Sequence, residues 1–153
     1  MSIENPKTTL LTLIKDNISL KKDDNVTAAT CHVSQEGFNS KAFKNFDTQV
    51  TIDFEPARST VRQLAIGAGK VLYQDCYRIT SWAIDKTGIT GKKMRWKLRR
   101  EIERIIRSNC KSPGGNLSYV DLISPSESED LQFRPPWWAI TWFVITHRFG
   151  GTT

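Results

Sequence analysis

The side chains best suited to nucleophilic or metal chemistry are few and far apart. The chain has two histidines, His32 and His147, and three cysteines, Cys31, Cys76 and Cys110. No two cysteines form the C-x-x-C pair that zinc ribbons and thioredoxin-like redox sites require. Cys31 and His32 are adjacent, but neighbours on a strand point to opposite faces and cannot share a proton. We therefore predict free thiols, structural histidines, and neither a metal site nor a cofactor.

Two further patterns approach catalytic motifs without the required spacing. A metal-dependent nuclease would need a cluster of carboxylates, for which the candidates are Asp53, Glu55, Asp75 and Asp85. Only the pair Asp85 and Lys86 approaches a nuclease signature.

The run IGAGKV resembles a phosphate-binding loop, but Leu64 stands in place of its first glycine and Val71 in place of its Ser or Thr. We therefore predict a protein that is not an enzyme, with a hairpin turn at residues 67–69.

The strongest candidate for a contact surface is the basic helix predicted over KKMRWKLRREIERIIRSN. An apolar stripe at helical spacing consists of Met94, Leu98, Ile102, Ile105 and Ile106. The other positions hold the cations Lys92, Lys93, Arg95, Lys97, Arg99, Arg100, Arg104 and Arg107. Glu101 and Glu103 offset them in part, and Glu103 can pair with Arg99 or Arg107. Three interpretations stay open for this surface: nucleic-acid phosphates, an acidic partner, or solvent.

The elements that must position these side chains follow from periodicity and turn residues. An amphipathic helix is predicted over residues 5–19, with Asn5 as its cap and Pro6 in its first turn. Strands are predicted over residues 26–33, 48–55, 60–66, 70–85 and 117–124. Surface loops are predicted over residues 36–47 and 125–136. The order predicts a single α+β domain over residues 1–153: a mostly antiparallel sheet with the N-terminal helix and the long basic amphipathic helix packed on it.

The last apolar run, residues 137–149, is the most unusual element because both of its faces are apolar. As a strand, it would carry Trp138, Ile140, Trp142 and Val144 on one face, and Trp137, Ala139, Thr141, Phe143 and Ile145 on the other. Something must cover each face. On the second face this is either a loop or the N-terminal segment of the same chain, or a neighbouring subunit. Candidate core and interface residues are therefore Trp137, Trp138, Trp142 and Phe143, together with Trp82 and Trp96.

Composition limits the class of protein. The chain of 153 residues is 39% hydrophobic and 25% charged, with a net charge of +6 and an isoelectric point near 9.4. The N-terminal segment is interrupted by charge, unlike a signal peptide, and no run reaches the roughly 18 apolar residues of a membrane helix. We expect a soluble intracellular protein with no membrane partner.

Several stretches together resemble the tail terminator (tail completion) proteins of tailed phages and related archaeal viruses. These stretches are NPKTTLLTLIKDN, LAIGAGKVLYQDCYRITSWAID, KMRWKLRREIERIIRSN, SYVDLIS and WWAITWFVITHRF, in this order. The likeness is one of element order and covers most of the chain. Its most specific parts are the strand from Tyr77 to Trp82 and the final apolar strand.

The resemblance implies a structural virion protein whose subunits form a ring, typically hexameric, that caps the tail tube and joins it to the head connector. Its expected partners are further copies of itself, the tail tube protein and a head-connector or stopper protein, with a passing contact to packaged viral DNA. Arg95, Arg99, Arg100 and Arg104 would meet a neighbouring ring or the DNA, and residues 36–47 and 125–136 the rings above or below. The protein would be made in the host cytoplasm and end in the virion neck or tail. The alternatives are a nucleic-acid-binding module using residues 92–107, another neck or minor tail protein, and a small enzyme.

Overall fold

The computed structural model describes residues 5–63, 70–115, 117–123, 125–130 and 136–151. Two α-helices lie in these residues, α1 (Pro6–Asn17) and α2 (Gly91–Ser108). The strands are β1 (Leu20–Lys21), β2 (Ala28–Ala29), β3 (Cys31–Ser34), β4 (Thr48–Phe54), β5 (Thr60–Gln63), β6 (Lys70–Ile84), β7 (Tyr119–Leu122), β8 (Ser126–Asp130) and β9 (Trp137–Gly151). Short 3-10 helices span Ser40–Lys44 and Pro56–Arg58. The predicted α+β class is confirmed.

Both helices begin and end close to the predicted positions. Asn5 caps α1, where its side-chain oxygen accepts a hydrogen bond from the backbone N–H of Lys7 at 3.0 Å. The predicted apolar stripe of α2 is buried along its whole length. The backbone N–H of Asn109 bonds to the carbonyl oxygen of Ile106 at 3.3 Å and ends this helix, as predicted.

The centre of the main sheet is the antiparallel pair β6 and β9, which are in register from Lys70 opposite Gly151 to Ile84 opposite Trp137. β4 and β5 share the other edge of β6, and β7 and β8 share the other edge of β9. β3 runs parallel to β4, and β1 pairs with β2 in a separate small sheet. The main sheet is thus mostly antiparallel, because among its described pairs only that of β3 with β4 is parallel.

The two faces of the sheet have different coverings. On what we call the covered face, Trp142 lies opposite Ile79, and both are buried beneath α1 and α2 in one hydrophobic cluster. The other side we call the open face; its central residues are Asp53, Arg78, Thr80, Trp82, Trp137, Thr141 and Phe143. The alternation predicted for residues 137–145 is therefore confirmed.

Two predicted segments differ from the structure. Residues 125–136 were predicted to be a surface loop, which is wrong for β8, since that strand pairs with β9 from Ser126 opposite Thr141 to Asp130 opposite Trp137. The predicted strand at residues 26–33 divides into β2 and β3, which belong to different sheets. Antiparallel pairing of β5 with β6 confirms the hairpin strands, whereas the glycine turn at 67–69 lies outside the described residues.

Candidate functional site

Cys31 and His32 point to opposite faces of β3 and do not form a catalytic pair. Cys31 packs against the hydrophobic core, where burial raises the pKa of its thiol to about 11 and disfavours the thiolate. The ring of His32 lies 4.9 Å from that of Phe46. His147 lies on β9, with its Nδ1 atom 3.2 Å from Nε2 of Gln74. Each of these side chains is held in structural contacts.

Two of the acidic residues considered for a nuclease, Asp53 and Asp85, serve structural contacts. A carboxylate oxygen of Asp53 lies 3.7 Å from the guanidinium of Arg78 on the open face. Asp85 accepts a hydrogen bond at 2.7 Å from the backbone N–H of Gly91, at the start of α2, where a carboxylate is favoured by the helix dipole. Nowhere in the described chain do three His, Cys, Asp or Glu side chains come together so that they could hold a metal ion.

The open face carries a cluster of aromatic rings. Phe38, from the segment between β3 and β4, packs between Trp82 and Trp137, with ring centroids 4.7 Å and 4.4 Å away. The guanidinium of Arg58 lies 4.0 Å above the ring of Phe143, in a cation–π contact. Part of the second face of β9 is therefore covered by a loop of the same chain, one of the two predicted coverings.

Lys86 binds the C-terminal part of the loop that carries Phe38. The ammonium group of Lys86 donates hydrogen bonds to the carbonyl oxygens of Phe43, at 2.8 Å, and Phe46, at 3.3 Å. It also lies 3.5 Å from a carboxylate oxygen of Asp47. These contacts hold the loop at one end of the open face.

The middle of the open face is left as a shallow groove of about 670 Å³. Its walls are Gly37, Phe38, Asp53, Arg78, Thr80, Trp82, Ser126, Thr141 and Phe143. Trp82, Trp137 and Phe143 stay half-buried even with Phe38 and Arg58 in place. Aromatic side chains in the central strands of a sheet are thus left partly exposed to solvent.

The other predicted core tryptophans lie on the covered face. Trp142 is completely buried. Trp138 is half-buried and packs on Gly91 so closely that a Cβ atom there would lie 2.5 Å from Cε3 of the indole ring. We therefore assign Trp138 and Trp142 to contacts within the chain, whereas Trp82, Trp137 and Phe143 belong to the open face.

The cations of α2 divide into two groups, and the first group is bound within the chain. Arg95, predicted as part of a contact surface, is only 7% exposed, so this prediction is wrong. Its guanidinium donates to the carbonyl oxygen of Ser128 at 3.1 Å and lies 3.3 Å from a carboxylate oxygen of Glu129. Arg99 lies 3.3 Å from Glu103, the predicted pair, and 3.4 Å from Glu127.

Two further cations of α2 hold neighbouring segments. The ammonium group of Lys97 donates to the carbonyl oxygens of Lys21, at 3.0 Å, and Lys22, at 2.7 Å, and so fixes the turn after β1. Arg104 lies 2.9 Å from a carboxylate oxygen of Glu101 and donates to the carbonyl oxygen of Asn17 at the end of α1. The contacts to distant backbone could not be read from the spacing of charges.

The second group forms what we call the cationic ridge: Lys92, Lys93, Arg100 and Arg107, with Trp96 between them. All are exposed, and Trp96 is 54% exposed. The four cations form no hydrogen bond or ion pair with any other described residue. The ridge borders a groove of about 510 Å³ between α2 and β1, to which Lys21 also contributes. Four of the seven predicted contact cations are therefore available to a partner.

Comparison with models of known protein families finds no match, and comparison with curated proteins finds no significant match. Neither helix in the described part of the chain combines the length and apolarity needed to cross a membrane.

Proposed function

We propose that the chain is a non-enzymatic assembly subunit that associates with further copies of itself through the open face of its sheet. The observation that carries the proposal is that Trp82, Trp137 and Phe143, on the central strands β6 and β9, are only partly buried. A sheet face usually exposes polar side chains when it faces water. Aromatic residues are enriched in protein interfaces, where they contribute much of the binding energy.

The composition of the open face suits an interface. Phe143, Trp82 and Trp137 supply apolar area, and Thr80 and Thr141 supply hydroxyl groups on the same face. The Arg78–Asp53 ion pair lies next to Phe143, where its two opposite charges compensate each other. A second copy could thus bury the apolar part while the charges of Arg78 and Asp53 compensate each other.

Association through the face is favoured over association through the edge that β8 forms. β8 lies at one edge and has the sequence SESED. Charges on an edge strand discourage another strand from pairing with it. Since Glu127 and Glu129 already bind arginines of α2, this edge is also occupied on its covered side.

The particular role follows from the resemblance to tail terminator proteins. In that role the subunits close into a ring, which requires a head-to-tail contact between two different surfaces of the chain. The open face would supply one of the two surfaces. The ring would cap a tail tube and join it to a head connector, and another neck or minor tail protein is the alternative of the same class.

The experiment is a mass measurement by light scattering over a series of protein concentrations. We expect a multiple of 17.4 kDa, with a ring visible by electron microscopy, either alone or after addition of a tail tube or connector protein. The variant Phe143→Glu should be a folded monomer. The matched control is Val26→Glu, because Val26 is 76% exposed on the β1–β2 turn and should not change the mass.

Two results would contradict the proposal. One is a strict monomer at all concentrations, with candidate partners present. The other is an oligomer that Phe143→Glu leaves intact while its circular dichroism remains that of the parent, since the open face would then not be the contact.

A further inference from the structure

We propose that the cationic ridge of α2 binds the phosphate backbone of duplex nucleic acid, without preference for base sequence. The ridge consists of Lys92, Lys93, Arg100 and Arg107 around Trp96, and lies on the helix side opposite the buried apolar stripe.

The charge of the protein is concentrated at this helix. α2 carries eight cations against Glu101 and Glu103, and the net charge of the whole chain is +6. The rest of the chain is therefore close to neutral. A polyanion approaching the molecule would be drawn to the α2 side by long-range attraction.

The ridge is the part of this charge that forms no hydrogen bond or ion pair with another residue in the described part of the chain. Arg95, Arg99 and Arg104 lie within 3.3 Å of carboxylate oxygens of their own chain. The glutamates beside the ridge are the partners in two of these pairs, Glu103 with Arg99 and Glu101 with Arg104. These pairs neutralise the carboxylates that would otherwise repel a phosphate.

The geometry of the ridge suits an extended ligand. Lys92, Trp96 and Arg100 follow at four-residue steps, and Arg107 lies two turns further along the same side. With a rise of about 1.5 Å per residue, the cations span roughly 22 Å along a regular helix. A row of this length can contact several phosphates of a duplex at once.

The observations favour a phosphate backbone over an acidic protein surface. A protein interface has an apolar centre that supplies much of its energy. Along the ridge, Trp96 is the sole exposed large hydrophobic side chain in the described part of α2. Binding must therefore depend mainly on charge, which is how proteins hold nucleic acid without reading its sequence.

The ridge and the open face lie on opposite sides of the molecule. α2 packs its apolar stripe on the covered face of the sheet, so the ridge points away from the sheet on that side. Self-association that joins the open face to a surface other than the ridge would leave the ridge accessible, and such an assembly would present several ridges to one duplex. Since each surface can act without the other, the two proposals fail separately.

The test measures binding of a fluorescently labelled duplex of about 30 base pairs by anisotropy, over a series of salt concentrations. The triple variant Lys92→Gln, Arg100→Gln, Arg107→Gln removes three charges from the ridge. Its matched control is Lys15→Gln, Lys41→Gln, Lys44→Gln, which removes three exposed charges elsewhere. We expect the ridge variant to lose at least tenfold in affinity, and the control to lose much less.

The salt dependence adds a second readout. Log affinity falls with log salt, and each phosphate contact makes this slope steeper by about 0.9. The slope of the ridge variant, which lacks three charges, should therefore be shallower by about 2.7. The ridge and control substitutions can also be compared in the Phe143→Glu background. There the ridge substitutions should still reduce the salt dependence more than the control substitutions do, even if the affinity falls because this variant presents a single ridge.

Three outcomes would overturn the proposal. The first is no binding of the duplex by the parent protein at about 50 mM salt. The second is an equal loss of affinity in the ridge and control variants, which would show that only the net charge of the protein matters. The third is tighter binding of polyglutamate than of the duplex, which would assign the ridge to an acidic protein partner.

Discussion

The guanidinium of Arg95 lies 3.3 Å from a carboxylate oxygen of Glu129 and joins α2 to β8. A hydrogen bond to the carbonyl oxygen of Ser128, at 3.1 Å, adds to this contact. The most basic helix of the chain and its most acidic strand therefore neutralise each other in part. This explains how a strand of sequence SESED can pair with the apolar β9.

Removing Arg95 should loosen β8. We expect Arg95→Ala to lower the free energy of unfolding by about 1.5–3 kcal/mol, the usual range for hydrogen bonds to charged groups. Hydrogen exchange in residues 126–130 should accelerate. The control Arg100→Ala, at an exposed position of the same helix, should stay within about 0.5 kcal/mol. Equal effects in urea unfolding of the two variants would contradict the assignment of Arg95 to the fold.

The start of α2 depends on the absence of a side chain at Gly91. In Gly91→Ala the new methyl carbon would lie 2.5 Å from Cε3 of Trp138 and 3.0 Å from the backbone of Ile84. We expect a loss of about 1–3 kcal/mol in urea unfolding, typical of overpacking. Gly37→Ala, where no atom lies within 4 Å, is the control and should be close to neutral. A neutral Gly91→Ala would show that Trp138 can move aside freely.

Trp142 tests the covered face. Trp142→Ala should cost about 3–5 kcal/mol in urea unfolding, because a large buried ring is removed. The indole Nε1 atom is buried without a hydrogen-bond partner. Trp142→Phe should therefore cost much less than Trp142→Ala, since it retains most of the apolar area and removes an unsatisfied donor. A near-native Trp142→Ala would contradict the burial of the ring.

Asp47 should make stability depend on pH in the acid range. Burial raises the pKa of its carboxyl, but the backbone N–H of Thr30 and the charge of Lys86 lower it more, so the net pKa is below 3.8. The stabilisation is complete above pH 3.8 and is lost as the pH falls through the lower folded pKa. We expect Asp47→Asn to be less stable than the parent at neutral pH, with a difference that shrinks in acid.

Urea unfolding at about pH 7 and about pH 3 would measure this difference. Asp16→Asn, at an exposed position on α1, is the control and should differ little from the parent at either pH. A difference between parent and Asp47→Asn that is constant with pH would show that the carboxylate charge does not stabilise the loop.

The elements with strong local periodicity could be predicted from the sequence. The apolar stripe Met94, Leu98 and Ile102 predicts α2. The alternation of side chains along residues 137–145 predicts which residues lie on each face of β9. β8 could not be predicted, because serine and acidic residues disfavour strands on their own. Its pairing depends on β9 and on arginines far earlier in the chain, as in the contact of Arg99 with Glu127, 28 residues apart.

The candidate surfaces were predicted in part. The sequence places cations around α2, but the spacing of charges does not distinguish Arg95, which is buried, from Arg107, which is exposed. Phe38 lies in the predicted surface loop at residues 36–47, and nothing in its sequence position indicates that it packs between Trp82 and Trp137. Contacts between segments distant in sequence decide which charges and rings remain exposed.

The register of β6 with β9 has a consequence for how the chain folds. Ile84 pairs with Trp137 and Lys70 with Gly151, so α2, β7 and β8 all lie between the two central strands in sequence. Such non-local pairing closes long loops before it gains contacts, and folding is correspondingly slow. During synthesis, β6 must wait with one edge unpaired until β9 has left the ribosome. We expect this interval to be the point at which the nascent chain is most prone to aggregate.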